Sequence, residues 1–78
     1  MTASDAGDAP AFVLRGEHIT LDALLKASGI VASGGEAKGL IAGGSVRVNG
    51  VAEARRGRKL RAGDEVAVGP RRVRLAGG

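Results

Sequence analysis

The chain has 78 residues, one phenylalanine as its sole aromatic, one histidine, no cysteine and a formal net charge of +4. So short a chain forms one domain that buries roughly 60% of its unfolded surface, which excludes a deep catalytic cleft. Without cysteine there is neither a disulfide framework nor a thiolate metal site, so a thin core must hold by packing, and no cofactor or metal is expected.

Residues 1–10 carry Asp5 and Asp8 among small residues, with no basic stretch leading into an apolar run. They read as a flexible leader rather than a signal peptide or membrane span, and the protein is expected in the cytoplasm. A single folded domain over 11–76 follows, with 77–78 as a flexible tail. The apolar run over 11–15 suits an edge strand. After Gly16, Thr20 stands where a helix cap belongs, and Leu21, Leu24 and Leu25 fall at i, i+3 and i+4, giving a short helix with one apolar stripe that ends at Gly29.

A second helix follows at once. Ser33 and Glu36 form a capping-box pattern, Ala37, Leu40 and Ile41 supply the buried stripe, and Gly43-Gly44 ends it. From Ser45 the apolar period changes from 3.6 to 2. Val46, Val48 and Val51 bracket Asn49-Gly50, a dipeptide that favours a type I′ hairpin turn because both positions need positive φ. Leu60 anchors the chain after a basic stretch, 61–64 makes a turn, and strands over 65–68 and 71–75 flank Gly69-Pro70.

Charge is unevenly spread along this order. Residues 1–46 hold three basic and five acidic side chains, a balance of −2, while residues 47–78 hold nine basic and three acidic, a balance of +6. Arginine dominates the positive half, and its forked donors suit phosphate. Such a half points to a polyanion. Arg55, Arg56, Arg58 and Lys59 put four cations in five residues, which repel one another and gain little without an anion nearby.

The start of the second helix is the other candidate. Ser33, Gly34 and Gly35 leave little bulk around first-turn amides and the positive end of the helix dipole, so an anion can approach the backbone. Lys38 flanks that turn. Gly35 and Gly39 lie one turn apart, each costing about 1 kcal/mol relative to alanine. Close approach of a polyanion or tight packing of another element explains their bareness equally well. Alternation in Val46-Arg47-Val48 turns Arg47 outward, towards a phosphate or simply towards solvent.

Five stretches carry a family resemblance: T-L-D-A-L-L-K at 20–26, S-G-G-E-A-K at 33–38, G-S-V-R-V-N-G at 44–50, R-R-G-R-K-L at 55–60 and A-G-D-E-V at 62–66. In that order they resemble the small RNA-binding domain first known from ribosomal protein S-four, and its compact stand-alone bacterial subgroup in particular. The resemblance implies an α+β fold, a two-helix hairpin packed on a small, bent antiparallel sheet (the alpha-L RNA-binding motif). It implies a non-catalytic protein that recognises structured RNA, ribosomal or transfer RNA, as a monomeric ribosome-assembly or translation accessory factor. The RNA-facing residues carried over by position are Ser33, Gly34, Lys38, Arg47, Asn49, Arg55, Arg56, Arg58 and Lys59, and Lys26 and Gly35 join them as candidate RNA-binding residues. Many family members have arginine where Thr20 and Gly34 stand here.

With Phe12 the only aromatic, base stacking is hardly available, so recognition through backbone charge and shape is expected, with steep salt dependence. Enzyme readings are poor. His18 stands alone at an element boundary, Ser28, Ser33 and Ser45 have no evident base, and the glycines match no nucleotide loop. The alternative is a ubiquitin-like sulfur carrier, which the terminal Gly77-Gly78 resembles. Such carriers have one principal helix, against the two expected here.

Overall fold

A computed structural model describes residues 11–77. The elements run β1 (Ala11–Leu14), β2 (Ile19–Thr20), α1 (Leu21–Ala27), α2 (Gly34–Ala42), β3 (Val46–Val48), β4 (Val51–Ala52), β5 (Lys59–Leu60), β6 (Glu65–Val68) and β7 (Arg71–Gly77). The fold is α+β. Two helices pack against a mixed five-stranded sheet in the order β1-β7-β6-β3-β4, and β2 and β5 form a separate two-stranded sheet. The leader over 1–10 lies outside the described residues, as does Gly78.

Each helix is specified locally. In α1, Leu21, Leu24 and Leu25 are fully buried, as their spacing requires. In α2, Ser33 Oγ accepts from the Glu36 amide at 3.2 Å, while the Glu36 carboxylate accepts from the Ala32 amide at 2.9 Å, one residue short of a true capping box. The helix stops in a Schellman motif. Gly44 at φ +81° donates to the Ile41 carbonyl at 3.2 Å, and Ser45 donates to Leu40 at 3.1 Å. Thr20 occupies the cap position of α1 but does not cap it, because its hydroxyl donates to Asp22 Oδ1 at 2.7 Å.

The hairpin forms as expected, with Asn49 at φ 54°, Gly50 at φ 85° and Val48 opposite Val51. Alternation then sorts the sheet into two faces. Val46, Val48, Val66, Val73 and Leu75 are buried and meet Leu21, Leu24, Leu25, Ala37 and Ile41 in one core, which Leu14, Val31 and Leu60 complete.

The sheet is not wholly antiparallel. β1 is an edge strand, but it pairs in parallel with β7, Ala11 opposite Arg74 through Leu14 opposite Gly77. β7 therefore runs two residues past Leu75. Gly77, read as part of a free tail, is a paired strand residue, and the two helices depart from the one principal helix of the sulfur-carrier alternative.

Candidate RNA interface

The basic stretch is not a bare charge run. Glu53 continues the alternation of β4, its amide donating to the Val46 carbonyl at 3.0 Å, so its side chain turns to the face that carries the core. There it is buried, the one charged residue so placed among those described. Both carboxylate oxygens are taken up by the stretch that follows. Oε2 accepts from the Arg55 amide and from Arg55 Nε, each at 3.0 Å, and Oε1 accepts from Arg55 Nη2 at 3.2 Å and Arg58 Nη1 at 2.8 Å. These bonds, Arg55 foremost and then Arg58, hold the Glu53 carboxyl at about 2, well below its ordinary 4.5. Arg55 is pushed up in turn, chiefly by its hydrogen bonds to Glu53.

Two of the four cations, Arg55 and Arg58, thus have an anion within the fold. Glu53 consumes only part of their capacity. Arg55 spends two of its five guanidinium donors and stays largely exposed, and Arg58 spends one. Arg58 closes a turn by donating its amide to the Arg55 carbonyl at 3.2 Å, which puts Arg56 and Gly57 at the tip. Arg56 and Lys59 are exposed, with no ion-pair partner among the described residues. Arg55, Gly57, Arg58 and Lys59 line an open concavity of about 510 Å³.

The loop is docked as well as clamped. The Arg58 and Arg56 carbonyls accept from the Leu21 amide at 2.9 Å and the Asp22 amide at 3.1 Å, satisfying two first-turn donors of α1 that Thr20 leaves unmet. Lys59 pairs with Thr20 in the β2–β5 ladder, and Leu60 is fully buried behind it. Four cations are therefore presented from a backbone fixed at both ends.

The α2 start is a second basic site on a different element. Gly34, Gly35 and Lys38 are exposed, Gly34 at the open start of the stripe that buries Ala37 and Ile41 and Lys38 on its flank, and a helical side chain leans towards the N-terminus, so Lys38 reaches back over the first turn. The Gly34 and Gly35 amides have no acceptor among the described residues. A Cβ placed at Gly34 or Gly39 would meet nothing within 4 Å, and one at Gly35 only Ser33 Oγ at 4.0 Å. Packing therefore does not explain these glycines. Glu36 stands in the same turn and offsets part of the local positive potential.

Three expected contacts fall elsewhere. Lys26 is exposed in the last turn of α1, where a cation complements the helix dipole. The Asn49 side chain is already engaged, donating to Asp64 Oδ1 at 3.1 Å and accepting from the Glu65 amide at 3.0 Å, so it ties two turns together. Arg47 projects from the sheet face turned away from the helices, because Val46 and Val48 on either side point into the core. The residue that sequence reasoning missed is Glu53. Its signal was its place in the alternation Val51-Ala52-Glu53, on the valine side, two residues before the first arginine.

The described residues hold no group of three or more histidine, aspartate or glutamate side chains placed to bind a metal. No helix among them is long and apolar enough to cross a membrane. Compared with known families, residues 12–76 match the model of the S4 domain. No curated protein matches the chain.

Proposed function

Because the chain belongs to the S4 domain family, whose members bind RNA through a typically non-catalytic module, we propose that it recognises folded ribosomal or transfer RNA as a monomeric accessory of ribosome assembly or translation. The observation that carries this reading is the clamped arginine loop. A buried carboxylate fixes two guanidinium groups while leaving most of their donors outward, so phosphate meets two preset arginines on a loop whose backbone is docked at both ends. Arg55, Arg56, Arg58 and Lys59 make the main contact, and the α2 start, Ser33, Gly34, Gly35 and Lys38, makes a second. Lys26 adds charge on the helix layer.

Shape reading suits these parts. Phe12 is half-buried and packs against the core, so no aromatic platform is open to a splayed base. Duplex or stem-loop backbone is the target that arginine forks and open amides can grip.

Crosslinking the tagged protein to RNA in cells, followed by sequencing of the bound fragments, tests the target. Crosslinks concentrated in stems of ribosomal or transfer RNA, and reduced by R55A/R56A, are the expected result. A pattern spread over messenger RNA in proportion to abundance would overturn the translational assignment.

A further inference from the structure

The core occupies one face of the five-stranded sheet, and no described element packs on the other. On that second face the register sets Arg47 of β3, Ala67 of β6 and Arg72 of β7 in one row, and Glu65 of β6 beside Arg74 of β7 in the next. Arg47, Arg72 and Arg74 are all exposed. Strand spacing puts Arg47 about 10 Å from Arg72 at the backbone, and Arg74 about 7 Å further along β7. Ala52 and Ala67 flank Arg47, so small side chains leave the guanidinium groups standing clear of the surface.

The one carboxylate side chain on this face among the described residues, Glu65, approaches Arg72 at 3.8 Å. Arg47 and Arg74 have no ion-pair or hydrogen-bond partner among the described residues, and it is on these two that the charge of the face rests. The clamped loop lies on the other side, since Glu53 points to the core face and its loop carbonyls cap α1. The molecule therefore carries two basic surfaces with the sheet between them.

We propose that the outer sheet face binds the phosphate backbone of a second RNA segment, so that one chain bridges two RNA segments held on opposite sides of the sheet. Two features favour RNA over a protein partner here. The exposed charge is arginine on a level surface of alanines, spaced to span a phosphate backbone. Among the described residues the one large exposed apolar side chain on this face is Val13, at its edge on β1, and a single edge valine gives a protein partner little apolar surface to anchor on. The proposal rests on the reading of the clamped loop as the first RNA surface.

Native mass spectrometry with a short RNA hairpin, together with energy transfer between donor-labelled and acceptor-labelled hairpins, tests it on the full chain. Wild type is expected to form a complex of one chain with two hairpins and to bring the labels together. In R47A/R74A the first hairpin should bind within about two-fold of wild type, while the second is weakened at least ten-fold and the transfer signal is lost. R47K/R74K should retain both, which separates loss of charge from loss of fold. A wild type that stops at one hairpin per chain, or an R47A/R74A variant that still holds two, would overturn the proposal while leaving the first surface intact. Displacement of the second hairpin from wild type by poly-glutamate at equal charge, with no such effect on the first, would overturn it in favour of an acidic protein partner. Absence of any RNA binding would remove both readings together.

Discussion

At the scale of single residues, Glu53 decides how the basic stretch behaves. A carboxylate whose pKa is depressed on folding stabilises the native state above its unfolded value and loses that contribution as pH falls through the folded one. For Glu53 the window runs from about 4.5 down to about 2, because the unfolded chain takes up the proton first. Asp64 is also held low, chiefly by the Arg61 amide, and contributes in the same direction. Urea midpoints measured from pH 7 to pH 2 should therefore be flat to about 5 and then fall, and E53Q should flatten part of that fall. Identical profiles for wild type and E53Q would show that the clamp does not form. E53Q also removes a negative charge from beside the proposed RNA surface. Simple charge counting then expects tighter RNA binding, whereas loss of the clamp should weaken it several-fold, a contrast that equilibrium titration resolves.

Asn49 separates two effects that its sequence context confounds. Asn49→Gly keeps the positive φ and loses the bonds to Asp64 and Glu65, which should cost about 1 kcal/mol. Asn49→Ala loses the bonds and adds the penalty of a left-handed alanine, about 1 kcal/mol more. Denaturant melts of the two variants should rank in that order. The dipeptide Asn49-Gly50 announced the turn, but nothing in it announced the tie to Asp64, which is 15 residues away and depends on β3 pairing with β6.

At the scale of elements, what was legible in the sequence was what is local. Both helices, the hairpin and the outward direction of Arg47 follow from spacing within a few residues, and they stand where the pattern put them. Two pairings do not follow from spacing. β2 and β5 are two residues each, too short to show a period, and they are defined only by each other. β1 joins β7 in parallel across nearly the whole chain, a contact no local signal encodes. The same limit hid the site. The four cations were visible, but whether they repel or are held depends on Glu53 turning inward, and on α1 lacking a cap that the loop carbonyls then provide.

The α2 glycines give the element its own test. Gly39→Ala meets open space and should stabilise the fold by about 0.5–1 kcal/mol, since alanine replaces glycine inside a helix. If RNA lies close to this side of α2, the same variant should bind structured RNA more weakly despite being more stable. Thermal melts and RNA titrations on one preparation check both. A stabilised variant with unchanged affinity would take the exposed side of α2 out of the interface.

At the scale of the whole molecule, the positive half of the chain wraps the sheet instead of forming one patch. Residues 55–59 lie on the helix side, and Arg47 and Arg74 lie on the other, although all belong to the half with a balance of +6. Linear charge counting found the excess and could not divide it, because the division depends on strand parity and on the order β1-β7-β6-β3-β4. Arginine held in place on an aromatic-poor surface should read backbone and shape, so affinity should track RNA structure more than sequence.

The most direct test of this account is the salt dependence of binding to a structured ribosomal RNA fragment, measured beside an unstructured RNA of equal length and a matched DNA duplex. The log of the binding constant should fall against log salt with a slope of about −3, as expected for three or four phosphates neutralised by the clamped loop. R56A should reduce that slope by about 1, and the structured RNA should bind tightest at every salt concentration. Binding that is independent of salt, or equal for the three nucleic acids, would contradict the claim that this domain grips folded RNA through a preformed arginine surface.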